Sequence, residues 1–421
     1  MKLSRSEELI FIKIPSILIA LIPILLVTGP FLPDLVVSIL TLIFFYFLFK
    51  KKFFYFFKLK VFIFFLIFWI YIVINSFING FDNDSLRISI SYIRFGIFSL
   101  YFLLCLENNK NILKNIFFVC LFIYLILLID GSIQFLFGKN LFGYELKDNF
   151  RVSSFFNDEL IYGSFLARFM PLILALYSLK SYSKKLGIFI FCIFVLSEVM
   201  IFLSGERASF FFLNLSSITI ILLTKNLKKI RILSVVISFF VIILISIFNP
   251  SYKERIVDRT INQIGFQNKE QKKYIFSQQH TDHYLSAIKM FHKNIFFGVG
   301  IKSFSKECKD KEYYISNLSC STHPHNTYIQ LLSETGIFGF CFVFFVFFLL
   351  LYSLLKHFYL LVSKKFYYFN DFEICIFSCI LISLWPLAPT GNFFNNWLSI
   401  VYFYPIPLLI WSLKNRGKIS I

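Results

Sequence analysis

Long apolar runs broken by short polar segments repeat along this chain from one end to the other. A helix needs roughly 18 to 20 apolar residues to cross about 30 Å of hydrocarbon. Runs near that length occur at 14–28, 32–49, 61–78, 88–106, 116–137, 160–179, 186–203, 208–223, 232–248, 337–355, 372–387 and 397–413. The pattern predicts an all-α, polytopic transmembrane helical bundle of about 12 spans. One connection departs from it: residues 249–335 are mostly polar and far outlast a connector between helices. The chain thus divides into 1–248 with nine spans, a large loop at 249–335 and 336–421 with three spans. Within the loop, 282–291 (DHYLSAIKMF) has the spacing of a short amphipathic helix and 297–301 (FGVGI) that of a tight turn. Residues 326–334 (NTYIQLLSE) predict a second short helix at the membrane interface, with Gly336 and Gly339 permitting a bend before the next span.

Composition agrees with a membrane solvent. Hydrophobic residues make up 58% of the 421 and charged residues 15%, and mean hydropathy is +0.74, a balance that no water-soluble core of this size requires. The 61 Phe residues, with abundant Ile, Lys and Asn, fit an AT-rich coding sequence and need no aromatic function. The net charge of +19 could suggest nucleic acid, but most of it lies in alternate loops. Twenty-three Lys and Arg residues, among them Lys2, Lys50, Lys51, Lys52, Lys58, Lys60, Lys180 and Lys418, fall on the side that holds both termini. Only Arg87, Lys139, Lys147, Arg151 and Arg207 occupy the short loops of the other side, so the positive-inside rule places 249–335 outside. Lys2, Arg5 and Lys13 precede an apolar run as in a signal peptide, but no small-residue cleavage site follows Val27, and that run is read as the first span. Cys105, Cys120, Cys192, Cys341, Cys375 and Cys379 fall in spans, where a thiol acts as a small hydrophobe. Cys308 and Cys320 fall in the outer loop, where an oxidising compartment permits a disulfide worth about 3 kcal/mol, two free thiols being the alternative.

Candidate chemistry concentrates at 321–334, STHPHNTYIQLLSE, where the outer loop returns to the membrane. His323 and His325 could ligate a metal, with His280, Asp282 or His283 as further ligands, but no third ligand is evident and no metal is assigned. Alternatively, one histidine at a helix start is kept neutral by the helix dipole and acts as general base, or both merely bond backbone groups. The adjacent Asn326 favours the general-base reading. Arg151 and Arg207 stand out among sparse outer cations, and an arginine fork suits a diphosphate, although span-end arginines also bind lipid headgroups. Arg168, inside a span, is a weaker candidate. Arg94, Asp130, Gln134 and Glu198 are polar groups in spans that pairing between helices would explain equally well.

The block HPHNTYIQLLSETGIFGF (residues 323–340) resembles the His-Asn segment of the O-antigen ligase and O-antigen polymerase family of bacterial membrane glycosyltransferases. Three weaker matches follow the family's order: RVSSFFNDELIYGSFLARFMPL from Arg151, LSGERASFFF from Leu203 and DHYLSAIKMFHKNIFFGVGIKSF from Asp282. The resemblance implies a metal-independent, cofactor-free transfer of a glycan from a polyprenyl diphosphate carrier, such as undecaprenyl diphosphate, at the periplasmic face of the bacterial inner membrane. The acceptor hydroxyl would belong to a second glycan or to the lipid A core, in lipopolysaccharide or surface polysaccharide biosynthesis; membrane lipids, but no nucleic acid, are further partners. It makes His325 the base beside His323 and Asn326, and Arg207 and Arg151 the diphosphate clamp. Where family members carry an arginine at the start of the loop helix, this chain has His280 and His283 nearby, so these, or Lys289 or Lys293, would complete the clamp. Arg151 to Gly163 is slightly longer than the polymerase spacing, leaving ligase and polymerase both open. A lipid-linked saccharide flippase or a non-catalytic assembly partner are the competing functions; a flippase would line a central cavity with its polar residues and need no histidine-bearing outer loop.

Overall fold

A computed structural model describes residues 4–51, 54–80, 82–179, 183–264 and 276–416. Lys2, Lys52, Lys180 and Lys418, counted above among the basic residues, lie outside the described residues. The protein is a polytopic helical membrane protein, and each predicted run coincides with a helix. Among the described residues, nine are long and apolar enough to cross a membrane: α1 (Arg5–Thr28), α2 (Phe31–Lys51), α3 (Lys60–Ile78), α4 (Asn83–Asn108), α5 (Ile112–Phe137), α7 (Lys184–Leu203), α9 (Lys228–Phe248), α11 (Thr327–Lys364) and α13 (Asn396–Lys414). Three are shorter: α6 (Tyr162–Ser178), α8 (Arg207–Leu223) and α12 (Asp371–Ser383). In the outer loop, α10 spans Gln278–Lys293.

The short helices sit inside. Residues of α6 from Tyr162 to Leu176 and almost all of α12 are buried against one another and α8, whereas α9 and α3 expose long stripes of Ile, Phe and Val. An inner helix is shielded from lipid by its neighbours, so its length need not match the hydrocarbon thickness. Two starts differ from expectation. The first helix begins at Arg5 through a π-helical turn at Leu9–Lys13, because Ser4 and Glu7 form a capping box ahead of the apolar run. The fourth begins at Asn83, since its first turns pack polar faces inward through Ser85 and Ser89 against Ser76.

The intramembrane polar groups pair between helices. Arg94 bonds Asp34 at 2.8 Å and Asn396 at 3.0 Å, while Arg231 pairs with Glu198 inside a shell of Ser217, Ser234 and Ser238. Asp130 and Gln134 fasten the loop after α5: Asp130 accepts from Ser154 Oγ (2.6 Å) and Asn140 Nδ2 (3.1 Å), and Gln134 Oε1 from the Ser153 and Ser154 amides at 2.9 and 2.7 Å. A paired or fully hydrogen-bonded charge avoids most of the cost of leaving water.

Polar loops gather at one end of the bundle. Tyr252 donates to the Phe150 carbonyl, Lys306 pairs with Asp82 at 2.9 Å, and the Thr390 amide donates to the His325 carbonyl at 2.9 Å. The opposite end carries Lys50 and Lys51 on Glu7, Lys414 on Glu107 and Arg416 on Glu373. Cys308 and Cys320 are joined by a disulfide with Cα atoms 5.4 Å apart, beside a small core of Ala287, Met290, Phe304 and Tyr313. Of the span cysteines, Cys192 and Cys341 face outward from the bundle, while Cys105, Cys120, Cys375 and Cys379 are buried.

Candidate active site

The predicted glycine turn and the predicted bend meet. Gly298 and Gly336 both have φ near +66°, and a side chain on Gly336 would lie 2.2 Å from the Phe296 carbonyl oxygen. The Val299 and Gly300 amides donate to the Ser333 and Glu334 carbonyls at 2.8 and 3.0 Å, and Tyr71 of α3 donates to the Thr335 carbonyl. This lock fixes the first turns of α11, and with them the segment just ahead, against α10.

Asn326 is the N-cap of α11. Its Oδ1 accepts from the Tyr328 and Ile329 amides at 3.0 and 3.1 Å, and its Nδ2 donates to the Pro386 carbonyl at 2.8 Å. With both ends engaged, Asn326 positions the backbone rather than offering a group to a substrate. The loop between α12 and α13 continues the clamp: Thr327 and Thr390 hydroxyls lie 3.0 Å apart, and the Gln330 side chain bonds Asn392 (3.0 Å) and the Phe393 amide (2.9 Å).

Four imidazoles converge there. His325 lies 4.1 Å from His323 and 5.4 Å from each of His280 and His283, ring centre to ring centre. His323 is committed: Nε2 sits 3.3 Å from the Thr390 carbonyl and Nδ1 2.9 Å from the Thr322 hydroxyl. A carbonyl can only accept, so Nε2 carries the proton and Nδ1 accepts. His283 is fully buried, and neither nitrogen makes a bond of ordinary geometry. His325 is half-buried, with φ of +58°. Burial, reinforced by the neighbouring His283, pushes the His325 pKa down to about 4. Burial likewise lowers His280 to about 4, with His325, His283 and Arg207 adding to the effect, and His323 to about 3. Desolvation thus gives His325 a source of neutrality besides its place at a helix start. Among the described residues, no group of three or more His, Cys, Asp or Glu side chains is arranged to hold a metal ion.

Arg151 and Arg207 flank one tight turn, and Arg207 lies within electrostatic reach of His280. Arg151 is buried, donating from Nε to the Ser204 carbonyl at 2.9 Å and facing Asp148 at 3.5 Å. Gly205, at φ +65°, leaves room for it: a side chain there would meet Arg151 Nε at 3.0 Å. The next residue, Glu206, is half-buried; its carboxylate caps α6 through the Gly163 and Ser164 amides (2.7 and 2.9 Å) and accepts from Ser209 (2.7 Å). Burial raises its pKa to about 7. Arg207 follows at the start of α8, within electrostatic reach of His280. Lys289 and Lys293 point elsewhere, to the Tyr314 carbonyl and to Glu312. Arg168 is buried between Ser164 (3.2 Å) and Ser383 (3.0 Å), 5.0 Å from the Phe212 ring, and lines a small cavity with Leu172, Val401 and Tyr404.

Sequence reasoning missed Glu206 and the 384–392 loop. Glu206 lay inside a quoted motif; its neighbour Gly205 was the signal that the turn is tight. For Thr390 no local signal exists, because its role depends on a contact 65 or more residues away in sequence.

A half-buried imidazole backed by three more, one of them within electrostatic reach of Arg207, lies at one end of the helical bundle. Residues 191–344, which run from α7 into α11 and include Arg207, His280, His283, His323, His325 and Asn326, match the family model described as O-antigen ligase. The family resemblance drawn from the histidine block is thereby shown for this part of the chain, and it marks a membrane enzyme of O-antigen or polysaccharide assembly. No curated protein matches the chain.

Proposed function

We propose that the chain transfers a glycan from a polyprenyl diphosphate carrier to an acceptor hydroxyl at the periplasmic face of the bacterial inner membrane. The observation that carries this reading is His325, kept neutral by burial and packed 5.4 Å from His280, which itself lies within electrostatic reach of Arg207. His325 takes the proton of the acceptor hydroxyl as its oxygen attacks the anomeric carbon. The bond from that carbon to the diphosphate oxygen breaks, and the polyprenyl diphosphate leaves with the electron pair. Arg151 and Arg207 hold the diphosphate and offset its developing charge; each charge-assisted bond contributes about 1.5–3 kcal/mol. His323, locked by Thr390 and Thr322, packs against His325 and fixes its ring. No metal or other cofactor enters these steps. The acceptor is a second glycan, in a polymerase, or a lipid A core, in a ligase.

The test is His325→Ala in purified, folded protein, assayed in chelator with a lipid-linked glycan donor. Loss of a base lowers turnover about 10²- to 10⁴-fold, with donor binding retained. Turnover within a few fold of the unsubstituted protein would remove His325 from the base role.

A further inference from the structure

Arg151 and Arg207 have a third guanidinium beside them, which the sequence reading did not use. After α9 the chain enters a short helical segment, Pro250–Lys253, then a π-helical turn, Glu254–Asp258, then Arg259–Ile264. Tyr252 anchors it: the ring is buried among Phe135, Phe150 and Phe202, and its hydroxyl donates to the Phe150 carbonyl, one residue before Arg151. The anchor brings Arg255 over the turn that Arg151 grips. Arg151 Nε donates to the Ser204 carbonyl at 2.9 Å, and Arg255 Nε lies 3.5 Å from the next carbonyl, Gly205. Two guanidiniums thus share consecutive carbonyls of one turn, immediately before Arg207.

Charge decides what this convergence means. Arg255 lies within electrostatic reach of three cations, Arg151, Arg207 and Arg259, and of one acid, Asp148. Asp148 lies 3.5 Å from Arg151 and Glu254 3.3 Å from Arg259, while Glu206 is occupied by the amides at the start of α6. Among the described residues, no acid is within ion-pair distance of Arg255. Like charges held together by a fold repel, and a bound anion with several oxygens removes that cost.

Resting on the function proposed above, we propose that Arg255 is a ligand of the carrier's diphosphate, gripping it together with Arg151 and Arg207. The short anchored segment after α9 is therefore part of the donor site. Three planar forks gathered at one turn suit the many oxygens of two linked phosphoryl groups better than those of a single phosphoryl group.

Farnesyl diphosphate and farnesyl monophosphate serve as probes of binding to the detergent-purified full chain, compared among the unsubstituted protein, Arg255→Gln, Arg255→Lys and His325→Ala. Arg255→Gln keeps a polar side chain of similar reach without the charge, so it preserves the contact to the Gly205 carbonyl. The expected result is diphosphate binding weakened about tenfold or more in Arg255→Gln, a smaller change for the monophosphate, partial recovery in Arg255→Lys, and near-normal binding in His325→Ala. With a lipid-linked donor, Arg255→Gln raises KM more than it lowers kcat. Equal diphosphate affinity in Arg255→Gln and the unsubstituted protein overturns the assignment of Arg255 and leaves the transferase reading intact. Failure of the unsubstituted protein to bind either probe overturns both.

Discussion

His325 sits at φ +58°, a region that costs a non-glycine residue free energy and persists only where neighbours enforce it. Here the enforcement is explicit: Thr390 holds its carbonyl and Asn326 caps the helix that follows. The ring is thereby turned into the imidazole cluster, where desolvation lowers its pKa to about 4. Two pH effects follow. If His325 is the base, it remains unprotonated from pH 8 down to about 5, so kcat should be flat on its acid side until pH approaches about 4. A limb near 6.5 in the pH profile would mean that the reacting imidazole is solvated. The second effect concerns stability. An unfolded imidazole binds its proton near 6.5, whereas the folded His280 and His325 do so only near 4 and His323 near 3. Protons therefore favour the unfolded chain, and the stability present above pH 6.5 is lost as pH falls from there toward 4. Melting temperature in detergent should drop across that interval, and less in His280→Phe than in the unsubstituted protein. His323 and His325 were legible because they share one short block with Asn326. Arg255 was not, because nothing local distinguishes it from the other cations of a polar loop; only Tyr252, docked on the Phe150 carbonyl, brings it to Arg151.

Elements position the site through one crossing. The turn at Phe297–Ile301 lies so close to the start of α11 that neither chain tolerates a side chain where they touch: a Cβ on Gly298 would come within 2.5 Å of the Ser333 carbonyl oxygen, and one on Gly336 within 2.2 Å of the Phe296 oxygen. Gly336→Ala should therefore cost about 1–3 kcal/mol for the positive-φ, extended-ψ backbone alone, a conformation essentially confined to glycine, and more for the backbone clash. The expected outcome is a melting temperature lowered by several degrees with transferase activity reduced as α10 and α11 separate. An unchanged melting temperature would show that the two segments do not touch as described. Sequence made the glycines visible as a turn and a bend, but their mutual contact lies 38 residues apart, between Gly298 and Gly336, and no periodicity reports it. Helix positions, by contrast, were readable throughout, since each apolar run must satisfy its own backbone within the membrane. The lengths were less so. Burial of α6 and α12 inside the bundle removes the constraint that lipid thickness places on outer helices, and sequence alone does not separate inner spans from outer ones.

Across the whole molecule, charge and polarity divide the bundle into two unlike ends, and the proposed chemistry requires that the imidazole end face the compartment where the lipid-linked glycan waits. The opposite end carries Lys50, Lys51, Lys414 and Arg416, each paired with a carboxylate, together with the loops richest in lysine. Basic loops resist translocation, so the positive-inside rule predicts that end in the cytoplasm and 249–335 outside. The disulfide between Cys308 and Cys320 agrees with an oxidising outer compartment, where such bonds persist. Two exposed positions separate the alternatives: Lys311 in the imidazole-end loop and Lys110 between α4 and α5. With the unsubstituted protein as background, Lys311→Cys should react with a charged, membrane-impermeant maleimide in intact spheroplasts. Lys110→Cys should react only after lysis, because the reagent cannot cross hydrocarbon to reach it. The reverse pattern would put His325 in the cytoplasm, away from a periplasmic acceptor, and the proposed reaction would then have no substrate on the side where its base is exposed.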